Sequence, residues 1–270
     1  MTAANVVDTR RDVTFGAGGG SPLAGELYAP TGKSGARSII LVPAARGSTG
    51  PASQVIAHLL AERGHIAFAP EYRVGFRTGE KGFEPYPAEA WPAPVHDIKA
   101  AVRWSRANAE MLGADPDCIV LFGGSNTGML ALAAAGIEDN ARLEGDGGNP
   151  AVSSRVAAVV AASAPTALST WGIPLIAGAG ASQETVEEIS PINYVRESFP
   201  ATMFMHGLAD EMIPPSNSEA MFAKLREAGA RTELHLYAGQ GHGFVSSPQF
   251  INHTADMISA FASRYAAPKV

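Results

Sequence analysis

Short apolar runs of strand length alternate with helix-like segments along most of this chain, and few folds accommodate that alternation. The run SIILVPA at 38–44 is continuously apolar rather than alternating, which suits an interior parallel strand covered on both faces. HIAFAPEY at 65–72, CIVLFGG at 118–124, VAAVVAASAP at 156–165, ATMFMHG at 201–207 and TELHLY at 232–237 read as further strands. Helices are expected at 51–64, from His96 to a stop at Gly113, at 128–136, at 215–229 and near 249–266, and an opening hairpin at 11–16 and 22–30 about the GAGGGS turn. Parallel strands need crossovers, and helices supply them on both faces. The expected class is α/β, with a predominantly parallel central sheet flanked by helices.

A length of 270 residues suits one large α/β domain, 1–270, and no linker or internal repeat divides it. The stretch 166–199 breaks the rhythm: it is long, punctuated by Gly and Pro and partly apolar, as a small cap insertion is, with a disordered loop as the alternative. A net charge of -6 without a Lys/Arg cluster gives phosphates nothing to condense on, so nucleic acid is not an expected partner. No apolar run approaches the ~18 residues of a membrane helix and the N-terminus has no apolar signal region. No membrane partner is expected, and a cytoplasmic location is the default, with a secreted or periplasmic one left open should a leader have been removed. Cys118 is the only cysteine, which excludes an internal disulfide and Cys-based metal sites. Neither a dinucleotide fingerprint nor a P-loop, H-E-x-x-H or EF-hand pattern occurs, so no metal and no cofactor is expected.

The chemistry concentrates in three places. Gly123-Gly124-Ser125-Asn126-Thr127-Gly128 lies between an apolar strand and an Ala-rich helix. A strand-to-helix turn that sharp holds a serine in a strained backbone and projects its Oγ from the sheet's C-terminal edge, the nucleophile elbow G-x-S-x-G. The pattern asks for Gly at 127, where this chain has Thr. A serine attacks when a neutral imidazole takes its proton and a carboxylate orients the imidazole, and on such sheets the partners follow in the order Ser, Asp/Glu, His. Asp210 follows the strand 201–207 and His242 follows 232–237; strand ends are where sites on open α/β sheets gather. Glu211 rivals Asp210, and His206 is expected beside the acid rather than as the base. His58, His65, His96, His235 and His253 fall inside or at the start of predicted elements and read as surface or packing residues.

The segments EYRV at 71–74, 85–128, SPINYV at 190–195 and 199–244 resemble the α/β-hydrolase fold, and within it the bacterial carboxylesterases of the hormone-sensitive-lipase and feruloyl/acetyl-xylan-esterase-like group. The resemblance covers most of 22–266. It implies Ser125 as nucleophile, Asp210 as acid and His242 as base, a small ester as substrate, and Asp97 as a structural carboxylate. This chain departs from the family's G-x-S-A-G-G elbow and from its His-Gly-Gly oxyanion loop, where it carries Pro43-Ala44-Ala45-Arg46-Gly47. Backbone N–H groups make an oxyanion hole, so Asn126 with Ala44 or Ala45 can supply one.

Two residues are set apart from that pattern. Arg46 follows the oxyanion strand, and its guanidinium could pair with a substrate carboxylate or phosphate, or be a solvated loop arginine. Trp171 heads an apolar cluster in the cap, expected as a wall of the substrate pocket or as a loop packed on the core. Three readings are carried: a serine carboxylesterase, a prolyl-oligopeptidase-like peptidase or amidase, and a catalytically weak binding protein on a hydrolase scaffold. A homodimer is left open.

Overall fold

The computed structural model describes residues 5–32, 37–46, 52–74, 76–79, 82–85, 90–168 and 181–267, without the side chains of 76–79 and 82–85. A hairpin opens the chain, β1 (Val7–Gly18) and β2 (Ser21–Pro30). Its two-residue turn, Gly19-Gly20, has positive φ at both positions (57° and 77°), which the twist-matched hairpin turns require and glycine supplies without strain. The remaining strands are β3 (Arg37–Leu41), β4 (Ala44–Ala45), β5 (Ile66–Tyr72), β6 (Phe76–Gly79), β7 (Gly82–Pro85), β8 (Ala114–Gly124), β9 (Ala158–Ala162), β10 (Ala201–Gly207) and β11 (Thr232–Tyr237).

Among the described residues the main sheet runs β1-β2-β5-β3-β8-β9-β10-β11, with β4 also on β5. Within that sheet only the β1–β2 and β2–β5 pairings are antiparallel; every pairing along it from β5 through β3, β8, β9 and β10 to β11 is parallel. Strand pleating sends alternate residues to opposite faces. Ile39 and Leu41 join one core with the helices Ala93–Ala107 and Ser125–Gly136, while Ile40 and Val42 join another with Ala52–Glu62 and Ile251–Tyr265. This is the expected mostly parallel sheet between two layers of helices.

The differences from expectation have local causes. The apolar run 38–44 is not one strand: pairing of β3 with β8 stops at Leu41, two residues before Pro43, which has no N–H to give a ladder. The helix ending at Gly113 is two, Ala93–Ala107 and Ala109–Leu112, and Gly113 closes the second at φ 68°. The helix expected at 128–136 begins at Ser125. A hairpin, β6–β7, occupies part of the Pro/Gly-rich 74–94. Of the expected cap, 169–180 lies outside the described residues; the rest holds a short helix, Gln183–Ile189, and a 3-10 turn, Pro191–Tyr194.

Candidate active site

The strand β8 ends at Gly124 and the helix Ser125–Gly136 begins at the next residue, leaving no room for a relaxed turn. Ser125 takes φ 53°, a left-handed conformation that a side chain adopts only at a cost. Close backbone contact on the two sides of the elbow makes that turn possible. A Cβ on Gly123 would stand 2.5 Å from the carbonyl of Thr127, and one on Gly128 would stand 2.7 Å from the carbonyl of Gly123. The second glycine that the turn needs is therefore at 128, and Thr127 is accommodated. Its Oγ1 shares a 2.8 Å hydrogen bond with the Tyr72 hydroxyl.

Three strand ends bring the predicted residues together. Ser125 Oγ is 3.0 Å from His242 Nε2, and His242 Nδ1 is 2.9 Å from Asp210 Oδ2. A carboxylate only accepts, so Nδ1 carries the proton, which leaves the Nε2 lone pair facing the serine hydroxyl. Asp210 Oδ1 accepts from the backbone N–H of Met212 (3.1 Å) and Ile213 (2.9 Å). Burial pushes this carboxyl up, but the Ile213 N–H and the His242 imidazole pull it further down, so it lies below the ordinary carboxylate range. Glu211, the rival acid, is exposed.

His206 stands beside the acid, as expected. Its Nε2 lies 2.9 Å from the Ile213 carbonyl and 3.4 Å from Asp210 Oδ2. A carbonyl accepts only, so Nε2 carries the proton, and Nδ1 accepts from the Ser218 hydroxyl at 2.7 Å. Burial lowers its pKa and outweighs the Ile213 carbonyl and Asp210, which raise it. The ring is neutral, and it buttresses the loop that carries Asp210.

The register discriminates between Ala44 and Ala45. Pairs Ile39↔Ile66 to Leu41↔Phe68 and Ala44↔Glu71 to Ala45↔Tyr72 keep one offset, so β4 resumes β3 along β5. The N–H groups of Val42 and Arg46 donate to the carbonyls of Phe68 (2.8 Å) and Tyr72 (2.9 Å). Successive N–H groups of a strand alternate sides, so that of Ala44 also faces β5, and that of Ala45 turns toward the flank where β8 ends in the elbow. Beside Ser125 is a cavity of about 200 Å³, walled by Val42, Ile56, Phe122, Ala162 and Val245. Arg46 donates from its guanidinium to the Pro22 carbonyl at 3.2 Å. Trp171 lies outside the described residues. The structure brings Ser125, Asp210 and His242 together, as the sequence predicts, and adds a Tyr72–Thr127 pair that no motif includes, signalled only by Thr where the elbow pattern asks for Gly.

Sheet order, helical layers and a serine at a positive-φ strand-to-helix turn, facing a His–Asp pair, define the α/β-hydrolase class. Within it, residues 46–225 match the BD-FAE family model, and the chain belongs to that family. Ser125 and Asp210 fall inside the match and His242 beyond it. The chain is 27% identical to Esterase LipQ of Mycobacterium tuberculosis, across 96% of this chain and 60% of that protein. It is 25% identical to the probable carboxylic ester hydrolase LipM of the same organism, across 69% of this chain and 43% of that one. It thus spans about half the length of these curated relatives. Among solved structures, Thermogutta terrifontis esterase 2 phosphoramylated by tabun superposes with a TM-score of 0.78 at 26% identity, covering 97% of each chain. A truncated carbohydrate esterase from gut microbiota gives 0.76 at 22% identity, covering 97% of this chain and 99% of that one, a likeness of fold. No helix among the described residues is long and apolar enough to cross a membrane.

Proposed function

We propose that the chain is a serine carboxylesterase acting on small esters with short acyl groups. The observation that carries this reading is the continuous relay from Ser125 through His242 to Asp210, with the serine at the strained head of a helix. In the first half-reaction Ser125 Oγ bonds to the ester carbonyl carbon while its proton passes to His242 Nε2. The carbonyl oxygen becomes an oxyanion that accepts from the N–H groups of Asn126 and Ala45. As the tetrahedral adduct collapses, the C–O bond to the alcohol breaks and the alkoxide takes the proton from His242. Water then adds to the acyl-enzyme, its proton moving to His242 and on to Ser125 Oγ as the acid leaves. Asp210, held ionised by its two N–H donors, keeps the imidazole in the required tautomer throughout.

The esterase names of LipQ and LipM, and the organophosphate-modified state of the Thermogutta enzyme, support this reading. A cavity of about 200 Å³, below the roughly 300–1,000 Å³ of drug-sized pockets, supports the preference for short acyl groups. The test is p-nitrophenol release from acetate to octanoate esters, with acetanilide as the amide control. Turnover should fall as the acyl chain lengthens, be far weaker on the amide, and drop by about 10⁴–10⁶ in Ser125→Ala. A Ser125→Ala variant keeping a tenth of the wild-type rate would refute the assignment.

A further inference from the structure

Tyr72 links the strand that carries Ala45 to the helix that carries Asn126, although no elbow or triad pattern includes it. Its backbone carbonyl accepts from Arg46 N–H at 2.9 Å and its residue pairs with Ala45 across the β4–β5 ladder. Its hydroxyl, on the same residue, bonds Thr127 Oγ1 at 2.8 Å, one residue past Asn126 in the first turn of the nucleophile helix. The ring is buried, at 4% exposure. Burial also pushes the phenol up to about 12, against a smaller opposing effect of the Thr127 hydroxyl, so it stays protonated across the working pH range. Where the elbow pattern has glycine, position 127 offers no side chain to bond; here a threonine provides one.

Resting on the esterase reading, we infer that Tyr72 is a positioning residue, a strut that fixes the spacing between the Ala45 and Asn126 N–H donors through its ladder pairing on one side and its bond to Thr127 on the other. The two donors sit on separate elements, β4 and the nucleophile helix, and the distance between them must match an oxygen that exists only in the transition state. A glycine elbow leaves that distance to packing alone. The Tyr72–Thr127 bond ties it to one rigid side chain whose backbone is already in the sheet.

The experiment is a double-mutant cycle with Tyr72→Phe and Thr127→Val, adding Thr127→Ser, read as kcat and KM on p-nitrophenyl acetate, the inhibition constant of a methyl trifluoromethyl ketone, and Tm. Wild-type turnover that Ser125→Ala abolishes establishes the underlying reading separately; its absence would overturn that reading and the strut with it. Given turnover, each single variant should lose roughly 10-fold in kcat, less than the ~10²–10³ lost when a donor is deleted outright, with KM within twofold. Ketone affinity should weaken in step, the double variant should be no worse than either single one, and Thr127→Ser should keep the wild-type rate. Multiplying losses, a kcat unchanged in both single variants, or ketone affinity indifferent to the bond would overturn the strut. Should Tyr72→Phe fail to fold, the contrast between Thr127→Val and Thr127→Ser decides alone.

Discussion

At the scale of single residues, the tightness of the elbow decides which of its glycines can be replaced. Gly128 faces the Gly123 carbonyl at 2.7 Å and the Ala164 Cβ at 3.0 Å, measured from a Cβ it does not have, whereas a Cβ on Gly124 would meet nothing nearer than the Ala162 carbonyl at 3.8 Å. Backbone oxygen cannot yield as a flexible side chain can. Gly128→Ala should therefore displace the serine, lowering Tm by the equivalent of about 1–3 kcal/mol of overpacking and kcat by a larger factor than Gly124→Ala, which should fold and melt like wild type. Parallel melting and esterase assays check this; a Gly128→Ala enzyme as active as Gly124→Ala would refute the clasp. Ser125, Asp210 and His242 stood out because each follows the end of its own strand. The clasp was not, because a motif gives spacing along the chain and says nothing of which carbonyl a missing Cβ would strike. The preference for Ala45 over Ala44 likewise needed the β4–β5 register.

At the scale of elements, strand ends decide what is exposed to water. His65 sits between the helix Ala52–Glu62 and β5, its Nε2 2.7 Å from Ser259 Oγ of the last helix. Burial, with a smaller push from the Arg63 charge, lowers its pKa from 6.5 to about 4. The unfolded chain then binds a proton that the native state refuses between those values, so this contribution to stability is complete above pH 6.5 and is lost as pH falls toward 4. At pH 5 the loss is about 2 kcal/mol. Urea unfolding of wild type and His65→Gln at pH 7 and pH 5 isolates it, since His206 is common to both: the wild type should lose more stability on acidification than the variant. An equal loss in both would contradict the assignment. The sequence placed β5 and β10 to within a residue because their apolar runs are continuous, and β11 by its Leu234 and Leu236 between polar neighbours, but it started β8 four residues late, at Cys118, because Asp115, Pro116 and Asp117 carry no apolar run. It hid β6 and β7, whose four residues each fall among Pro and Gly, and it merged β3 with β4 because Pro43 is as apolar as its neighbours.

At the scale of the whole molecule, buried charges lock the layers together. Asp97 on the helix Ala93–Ala107 receives a forked contact from Arg73, Nε at 2.9 Å and a terminal nitrogen at 2.7 Å, besides the Arg73 backbone N–H at 2.8 Å. This bears out its reading as a structural carboxylate. The guanidinium also underlies the β1–β2 turn, where a Cβ on Gly18 would strike it at 2.6 Å. Asp97→Ala strands a buried charge and should cost about 3–5 kcal/mol in urea unfolding, while the specific activity of the folded protein stays near wild type; a cost below 1 kcal/mol would contradict the role. Further along that helix Lys99 and Arg103, which read as charges spaced between apolar positions, are buried and bound by Glu144, the Ile137 and Gly148 carbonyls and Ser154. Only the fold shows that the segment 137–154 covers them. All of these layers hold Ser125 against His242, and intact-mass analysis after a fluorophosphonate probe tests that most directly. A single adduct is expected on wild type, mapped to Ser125 and absent from Ser125→Ala; an unlabelled wild type, or an adduct that persists in Ser125→Ala, would contradict the assignment.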